Sequence, residues 1–319
     1  MLSEKYVAGF LDADGCIYIQ WLKEGWKPQL RINFSQKKEQ DKVIEMIHEE
    51  YGGYLKNTTV KGTDYTGLDI CGKTADMFLS RIKKHLVVKR RYADVCLGFC
   101  REKAYNIPDL KKRLKDERKV QSFPLPNYPT RKWLAGYLDG DGCISTQGFS
   151  KMGSPKLVLH IACSNYDSEG IELIHKAYGG SINDMCEKRC KQLRITLNPS
   201  KVKEIFDPIV KYMVTKQTQA QFILGCAAMK HYRDGKSIQT ALKQLKASPH
   251  RLNEPEADVK ALLAGIKDMD RPWSSDGYTA CVKCGSSESR YMGNGICLSC
   301  WPRKAGRPLA YAIVGQPIG

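Results

Sequence analysis

The sequence lacks the features of membrane and secreted proteins. No apolar run in its 319 residues reaches the ~18 residues of a membrane span. The segment after Met1 also lacks the cationic start, apolar stretch and cleavage site of a secretory leader. We therefore expect a soluble, intracellular protein without a membrane partner. Asparagine is scarce, at nine residues, which argues against an AT-rich organelle genome and favours the cytoplasm of a bacterial, archaeal or virus-infected cell.

Acidic residues are too few to balance the basic ones. Lys and Arg number 51 against 34 Asp and Glu, which gives a formal net charge of +17. An excess of this size favours a polyanionic partner. Thirteen cysteines are an odd number and come without a secretory leader, so we do not expect a disulfide framework. With 42% hydrophobic residues, the chain is long enough for two domains and a small appendage.

One nine-residue segment occurs twice, as VAGFLDADG at residues 7–15 and LAGYLDGDG at residues 134–142. An offset of 127 residues aligns the two copies without a gap, and the same offset aligns YGG at 51–53 with YGG at 178–180. It also aligns Lys89 with Lys216. A period this long indicates duplication of a whole domain, because solenoid repeats run to ~20–50 residues.

Each copy has the same predicted order of elements. The repeated segment is a helix, and alternating segments such as CIYIQWL and LRINFSQ follow as strands, before a helix, a further strand and two more helices. This order predicts an α+β fold with an antiparallel sheet and helices on one side. The predicted domains are 1–102 and 131–229, joined by a linker at 103–130 and followed by a helical extension at 230–272 and a cysteine-containing module at 273–319.

The glycines of the repeated segment need a physical reason. Gly inside a helix costs about 1 kcal/mol relative to Ala. Gly9 and Ala13 lie on one helical face, as do Gly136 and Gly140, so each helix has a stripe without bulky side chains. Such stripes predict that the two helices pack closely against each other. The alternative is that each glycine packs against its own sheet.

The aspartates at the helix ends predict a bound cation. Each helix is predicted to stop at Gly15 or Gly142, immediately after Asp14 or Asp141. The unpaired carbonyls and negative dipole end of a helix repel an anion, so a carboxylate there needs a cation nearby. Two such ends side by side would offer hard oxygen ligands suited to Mg²⁺. Alternatively, both aspartates cap local turns.

The two copies resemble the signature of LAGLIDADG homing endonucleases in the single-chain form that carries two motifs. The resemblance covers residues 3–227 and implies two αββαββα-type domains in a pseudo-twofold arrangement, each with a curved sheet lying along the DNA major groove. It places divalent metal, Mg²⁺ or Mn²⁺, on Asp14 and Asp141, with the backbone carbonyls of Ala13 and Gly140 as further ligands. The other motif acids, Asp12 and Asp139, are expected to have a structural role.

The resemblance also implies a lysine near each metal pocket, which matches Lys89 and Lys216. Gln36 matches a polar position that orients water near the metal, whereas the same offset leads to Cys163 in the second half. The site is therefore expected to be asymmetric. Further strand residues are candidates for base contact, although alternation alone does not decide which face they occupy: Arg31, Asn33, Ser35, His160, Ser164 and Arg194.

The C-terminal cysteines carry a separate signal. Cys281 and Cys284 form one C-x₂-C pair, and Cys297 and Cys300 form a second pair after 12 intervening residues. This spacing predicts a tetrahedral structural Zn²⁺ site, because four thiolates close the coordination shell. The region is similar to zinc-ribbon or treble-clef fingers. The alternative is four unrelated thiols.

Together these patterns predict a monomeric, site-specific endonuclease that makes double-strand breaks in a long non-palindromic DNA site by metal-dependent phosphodiester hydrolysis. The expected genetic setting is a mobile intron or an intein-related element. Two alternatives are an RNA maturase that binds intron RNA and assists splicing, and a regulator that binds DNA without cutting it. Retention of both Asp14 and Asp141 favours the nuclease.

Overall fold

The computed structural model describes residues 1–21, 28–101, 107–117, 126, 128–149, 155–164, 168–185, 190–228, 235–247, 255–265, 281–285, 291–293, 296–297 and 299–300. They fall into two compact units, one holding the described residues up to 265 and the other those from 281 onwards. Within these ranges, none of the helices combines the length and apolar character that crossing a bilayer requires.

The first half of the larger unit is a four-stranded antiparallel sheet with helices. Its elements are α1 (Glu4–Asp14), β1 (Gly15–Gln20), β2 (Gln29–Lys37), α2 (Lys42–Tyr51), β3 (Tyr54–Val60), β4 (Thr63–Cys71), α3 (Gly72–Ile82) and α4 (Arg90–Arg101). The strand order is β1-β2-β4-β3, and every pair is antiparallel. A helix, α5 (Ile107–Glu117), follows and packs against α4.

The second half repeats this architecture. Its elements are α6 (Arg131–Asp141), β5 (Gly142–Phe149), β6 (Pro155–Ser164), α7 (Glu169–Tyr178), β7 (Ser181–Met185), β8 (Cys190–Thr196), α8 (Pro199–Phe206) and α9 (Gln217–Ala228). The strand order β5-β6-β8-β7 corresponds to that of the first sheet. The predicted α+β fold with two equivalent domains is therefore confirmed.

The alternating burial of side chains along β2 shows which side of the sheet faces outwards. Leu30, Ile32 and Phe34 are buried on the helix-covered face, where they join a hydrophobic core that runs through both halves. Arg31, Asn33 and Ser35 therefore lie on the opposite face, because successive side chains of a strand point in opposite directions. Each sheet thus has one buried face and one face that carries polar residues.

The repeated helices α1 and α6 pack directly against each other. A Cβ on Gly9 would overlap the carbonyl oxygen of Trp133 and lie 2.8 Å from its carbonyl carbon. A Cβ on Gly136 would overlap the carbonyl oxygen of Tyr6 and lie 2.9 Å from the amide nitrogen of Phe10. The predicted helix–helix contact is confirmed, and the alternative that each glycine packs against its own sheet is wrong.

The helices end where the sequence predicts, but for a different reason. Gly15 and Gly142 have φ values of −86° and −72°, so neither adopts the left-handed conformation usual for a glycine after a helix. Both are extended and begin a strand. A Cβ would lie 3.0 Å from the Cα of Leu11 or Leu138, so the sharp exit from the helix leaves no room for a side chain.

Two further helices, α10 (Gly235–Ala247) and α11 (Pro255–Gly265), lie in the same compact unit as the two halves. Helix α10 packs on β5, β6 and α9, as α5 packs on α4, and α11 packs on α9. The segments predicted as linker and extension therefore contribute helices to the larger unit. The predicted boundaries near 102, 229 and 272 lie outside the described residues. In the smaller unit, β9 (Tyr291–Gly293) and β10 (Ile296–Cys297) pair antiparallel.

Candidate active site

The two motif acids that the sequence predicts as metal ligands lie at the adjoining ends of α1 and α6. Asp14 is the last residue of α1 and Asp141 the last residue of α6. A Cβ on Gly140 would lie 3.3 Å from Asp14 Oδ2, so the Asp14 carboxylate lies beside the backbone of the other half. Burial raises the pKa of Asp14 above its ordinary value, although the charges of Lys216 and Lys89 act in the opposite direction.

Gln36 is the second predicted residue that reaches this junction. It is 8% exposed on β2, and its Nε2 donates to Oδ2 of Asp14. The corresponding position of β6 carries Cys163, a residue that is 9% exposed and whose thiol is a much weaker donor than an amide. Of these two equivalent positions, only the one in the first half therefore carries an amide, and that amide lies beside Asp14.

Lys89 caps the end of the first motif helix. Its Nζ donates to three consecutive carbonyl oxygens of α1, those of Leu11 at 2.8 Å, Asp12 at 2.6 Å and Ala13 at 3.3 Å. The carbonyls in the last turn of a helix carry the negative end of its dipole, so an ammonium group is stabilised there. The sequence predicts a cation at this helix end, and the ammonium group of Lys89 supplies one positive charge there.

Lys216 makes the equivalent contacts in the second half. Its Nζ lies 2.9 Å from the carbonyl oxygen of Leu138 and 2.8 Å from that of Gly140, and it also donates to the backbone carbonyl oxygen of Asp139. Burial lowers the pKa of Lys216, although three surrounding aspartates and the Cys143 thiol act to raise it. The carbonyls of Ala13 and Gly140, predicted as metal ligands, thus each accept a hydrogen bond from a lysine. A carbonyl oxygen has a second lone pair for another partner.

The remaining motif acids are buried and hold the lysine-bearing loops. Asp12 is 2% exposed and accepts from the backbone amides of Val87 at 2.7 Å and Lys89 at 2.9 Å. It also accepts from Trp133 Nε1 of the other half at 2.9 Å. The predicted structural role of this acid therefore includes fixing the loop that carries Lys89, a contact that the sequence pattern does not reveal.

Asp139 has the corresponding set of partners. It accepts from the backbone amides of Val214 at 2.6 Å and Lys216 at 2.8 Å, and from the hydroxyl of Tyr6 at 2.6 Å. Burial raises the pKa of Asp139 and that of Asp12, while nearby lysines and hydrogen-bond donors oppose this effect. Each buried acid thus joins its own half's lysine loop to the helix of the other half.

The sequence in both halves matches one family. Residues 7–94 and 134–229 fit the sequence profile of the family described as LAGLIDADG endonuclease. The chain belongs to this family. The matched ranges contain all but the first three residues of each motif helix, both sheets and the two lysine loops. No curated protein sequence matches the chain.

Solved structures with the same LAGLIDADG fold are distant in sequence. The homing endonuclease I-GzeII in complex with its DNA target is 13% identical with a TM-score of 0.51, covering 84% of this chain and 99% of that chain. The meganuclease I-AabMI bound to uncleaved DNA is 15% identical with a TM-score of 0.51, covering 83% and 99%. The meganuclease I-SmaMI bound to uncleaveable DNA is 17% identical with a TM-score of 0.50, covering 83% and 98%. These likenesses support the two-domain fold.

The outward face of the first LAGLIDADG sheet carries a polar cluster. Asp69 accepts from Asn33 Nδ2 at 2.9 Å and from Lys56 Nζ at 3.0 Å, and Arg31 Nη1 lies 3.9 Å away. Burial acts to raise the pKa of Asp69, but these donors and charges together lower it. Ser35 is exposed on the same face. Arg31, Asn33 and Ser35 are candidates from the sequence alone, whereas Asp69 and Lys56 are not.

The outward face of the second sheet differs in charge. His160 on β6 lies directly opposite Arg194 on β8 in the strand register, where the first sheet has Asn33 opposite Asp69. Burial and the charge of Arg194 lower the pKa of His160. Ser164 pairs in register with Cys190 at the end of β6, and its side chain lies outside what the structure describes.

The four C-terminal cysteines come together in the smaller unit. The Sγ atoms of Cys281, Cys284, Cys297 and Cys300 all lie within 4.8 Å of one another. Those of Cys284 and Cys297 are 3.6 Å apart, close to the ~3.8 Å expected between two thiolates on a tetrahedral Zn²⁺. The amide of Cys297 donates to Cys281 Sγ at 3.3 Å. The donor set and its spacing fit zinc.

Proposed function

We propose that the protein is a site-specific DNA endonuclease that cuts both strands of a long, non-palindromic site as a single chain. The observation that carries this proposal is that Asp14 and Asp141 end two helices that pack against each other, each helix end capped by a lysine. Membership of an endonuclease family supports it, as do relatives of the same fold described in complex with DNA. The net charge of +17 agrees with a polyanionic substrate.

We further propose that the junction holds Mg²⁺ or Mn²⁺. The carboxylates of Asp14 and Asp141, together with the carbonyls of Ala13 and Gly140, are hard oxygen donors of the kind these ions prefer. The position of Asp14 beside Gly140 supports a site to which both halves contribute. When bound, a divalent ion provides a water of lowered pKa and neutralises charge on the phosphate.

The protein's own groups then have distinct tasks. Gln36 donates to Asp14 and so fixes the orientation of that carboxylate. Lys89 and Lys216 place a positive charge beside each acid, where it stabilises the negative charge that develops on a phosphate during hydrolysis. The outward faces of the two sheets hold the duplex. This division needs no nucleophilic side chain.

The differences between the halves support a non-palindromic target. The outward position opposite Asn33 is an acid, Asp69, whereas the one opposite His160 is a base, Arg194. Side chains of opposite charge select different donors and acceptors in the groove, so the two half-sites are expected to differ in sequence. The proposed setting is intracellular DNA, at the insertion site of a mobile intron or intein-related element.

The smaller unit is proposed to hold a structural Zn²⁺ on its four cysteines. Four thiolates close the coordination shell and leave no open position for catalysis. A module this small draws much of its folding free energy from the metal. The proposal rests on the convergence of the four sulfur atoms.

The proposed function is tested by incubating purified protein with its intron-less host locus in Mg²⁺ and mapping the ends. Asp14→Asn and Asp141→Asn should each abolish double-strand cleavage and leave binding in a gel shift largely unchanged, because they remove a carboxylate but not the sheets. Asp94→Asn is the matched control, since it makes the same chemical change at a carboxylate on α4 that pairs with Lys83. Full cutting by either motif variant would contradict the assignment of these acids, and binding without cutting by the wild type would indicate a regulator.

A further inference from the structure

Two aromatic residues cross between the halves at equivalent positions. Tyr6 on α1 and Trp133 on α6 are related by the 127-residue offset of the duplication. The Tyr6 hydroxyl donates to Asp139 Oδ2 at 2.6 Å, and Trp133 Nε1 donates to Asp12 Oδ2 at 2.9 Å. Tyr6 and Trp133 are each 2% exposed, so both hydrogen bonds lie in the core. Each half therefore supplies a buried donor to the acid of the other half.

The accepting oxygens are shared with the lysine loops. Oδ2 of Asp139 takes both the Tyr6 hydroxyl and the amide of Val214, while Oδ1 takes the amide of Lys216. Asp12 repeats the pattern with Trp133, Val87 and Lys89. A continuous path of hydrogen bonds therefore runs from the helix of one half, through a buried acid, to the lysine of the other half.

We propose that Tyr6 is a positioning residue for Lys216 and that Trp133 is a positioning residue for Lys89, each acting across the interface between the halves. The proposal rests on the proposed endonuclease function. A buried carboxylate that loses a donor must redirect the unsatisfied oxygen to another partner or to water. Because the same oxygen holds the backbone of the lysine loop, this change displaces the ammonium group. Small displacements of a catalytic group reduce rate steeply.

The competing interpretation is that both residues only fill the core. Trp133 also stacks on Tyr137, with ring centroids 4.7 Å apart, so its packing contribution is real. A packing defect at the central interface is shared by both halves and should slow the cutting of both DNA strands together. Loss of a positioning contact affects one lysine and should slow one strand more than the other. The ratio of the two strand-cutting rates therefore separates the two interpretations.

The test uses the full-length protein and a duplex that carries the mapped site, with a different fluorophore on each strand. Tyr6→Phe should slow the nicking of one strand by about fivefold or more relative to the other, and Trp133→Phe should produce the opposite bias. Trp133→Tyr should restore even cutting, because a tyrosine at the equivalent position 6 reaches its acid. Tyr137→Phe is the matched control, since it removes a buried hydroxyl that lies against Gly170 of its own half.

Equal slowing of both strands, or bias in the same direction from both variants, would overturn the proposal while leaving the endonuclease function intact. Absence of cutting by the wild type would instead count against the endonuclease function. A measurement without DNA then still decides the inference: Tyr6→Phe should speed hydrogen exchange at the amides of Val214 and Lys216 but not at those of Val87 and Lys89. Uniform or unchanged exchange in all four amides would refute the positioning role.

Discussion

Replacing Gly9 by alanine should separate the two central helices. The added Cβ would overlap the carbonyl oxygen of Trp133 and lie 2.8 Å from its carbonyl carbon and 3.0 Å from the amide nitrogen of Tyr137. These neighbours all belong to the backbone of α6, so no side chain can rotate away. An ordinary Cβ contact needs 3.4 Å or more. The helices must therefore move apart by on the order of 1 Å.

The cost follows from opposing terms. Alanine gains about 1 kcal/mol in helix propensity over glycine. Overpacking in a well-packed core typically costs about 1–3 kcal/mol, and a gap of about 1 Å along the remaining contacts forfeits a quarter to a half of their dispersion energy. The dispersion loss adds to the overpacking cost and together they outweigh the propensity gain, so we expect a net loss of about 1–3 kcal/mol in the free energy of unfolding. At about 2 °C per kcal/mol for a unit of this size, Tm should fall by roughly 2–6 °C. Cleavage should fall as well, because Asp14 and Asp141 move apart with the helices.

Gly98 provides a matched control, because it also lies within a helix, α4, but a Cβ there meets nothing within 4 Å. Gly98→Ala should stabilise the protein by up to about 1 kcal/mol. Urea unfolding followed by far-ultraviolet circular dichroism measures both variants, and cleavage is assayed on the same preparations. If Gly9→Ala is as stable as Gly98→Ala, the close backbone contact between α1 and α6 does not exist as described.

Three further outcomes are expected. Zinc removal by a chelator, or Cys281→Ser combined with Cys284→Ser, should unfold the smaller unit. Metal analysis of protein purified without chelator should find about one zinc per chain, and the absence of zinc would contradict the four-cysteine site. DNA binding should weaken steeply with salt, and the logarithm of the binding constant should fall with the logarithm of salt concentration with a slope of roughly −0.9 per neutralised phosphate. Light scattering should find one chain per site, and two chains on a palindrome would contradict the single-chain arrangement. Because the pKa of Asp69 is lowered on folding, its stabilising effect is present above the unfolded-state value of about 3.9 and is lost as the pH falls through the folded-state value. The free energy of unfolding of Asp69→Asn, measured in urea, should therefore fall less than that of the wild type between about pH 5 and pH 2. An equal fall in both proteins would refute this prediction.

The duplication made much of the fold predictable. The shared register of the two motif copies and the bare face formed by Gly9 and Gly136 were sufficient to predict the helix pair, because a helix face is set by sequence spacing alone. The strand alternation of β2 predicted which residues share a face but not which face is buried. That depends on where α2 and α3 pack, which is a tertiary property.

The location of the motif acids was predictable from the sequence, but the contacts around them were not. The position of Asp14 and Asp141 follows from where the helices end, and this is a local property. The contacts of Lys89 with α1 join residues 76–78 positions apart, and no periodic pattern links them. The role of Asp12 depends on the direction of one buried side chain for the same reason. The sequence does not point to Asp69, because the excess of basic charge favours cationic rather than acidic residues on the outward face of the sheet.

The packing of α1 against α6 within one polypeptide has a consequence for copy number. The residues that connect the halves keep each helix near its partner at an effective concentration on the order of millimolar, independent of how much protein is present. A site built from two separate chains dissociates on dilution, and its activity then falls with the square of the protein concentration. For the proposed single-chain endonuclease, activity should instead fall only in proportion to concentration, and one molecule should suffice to form the site.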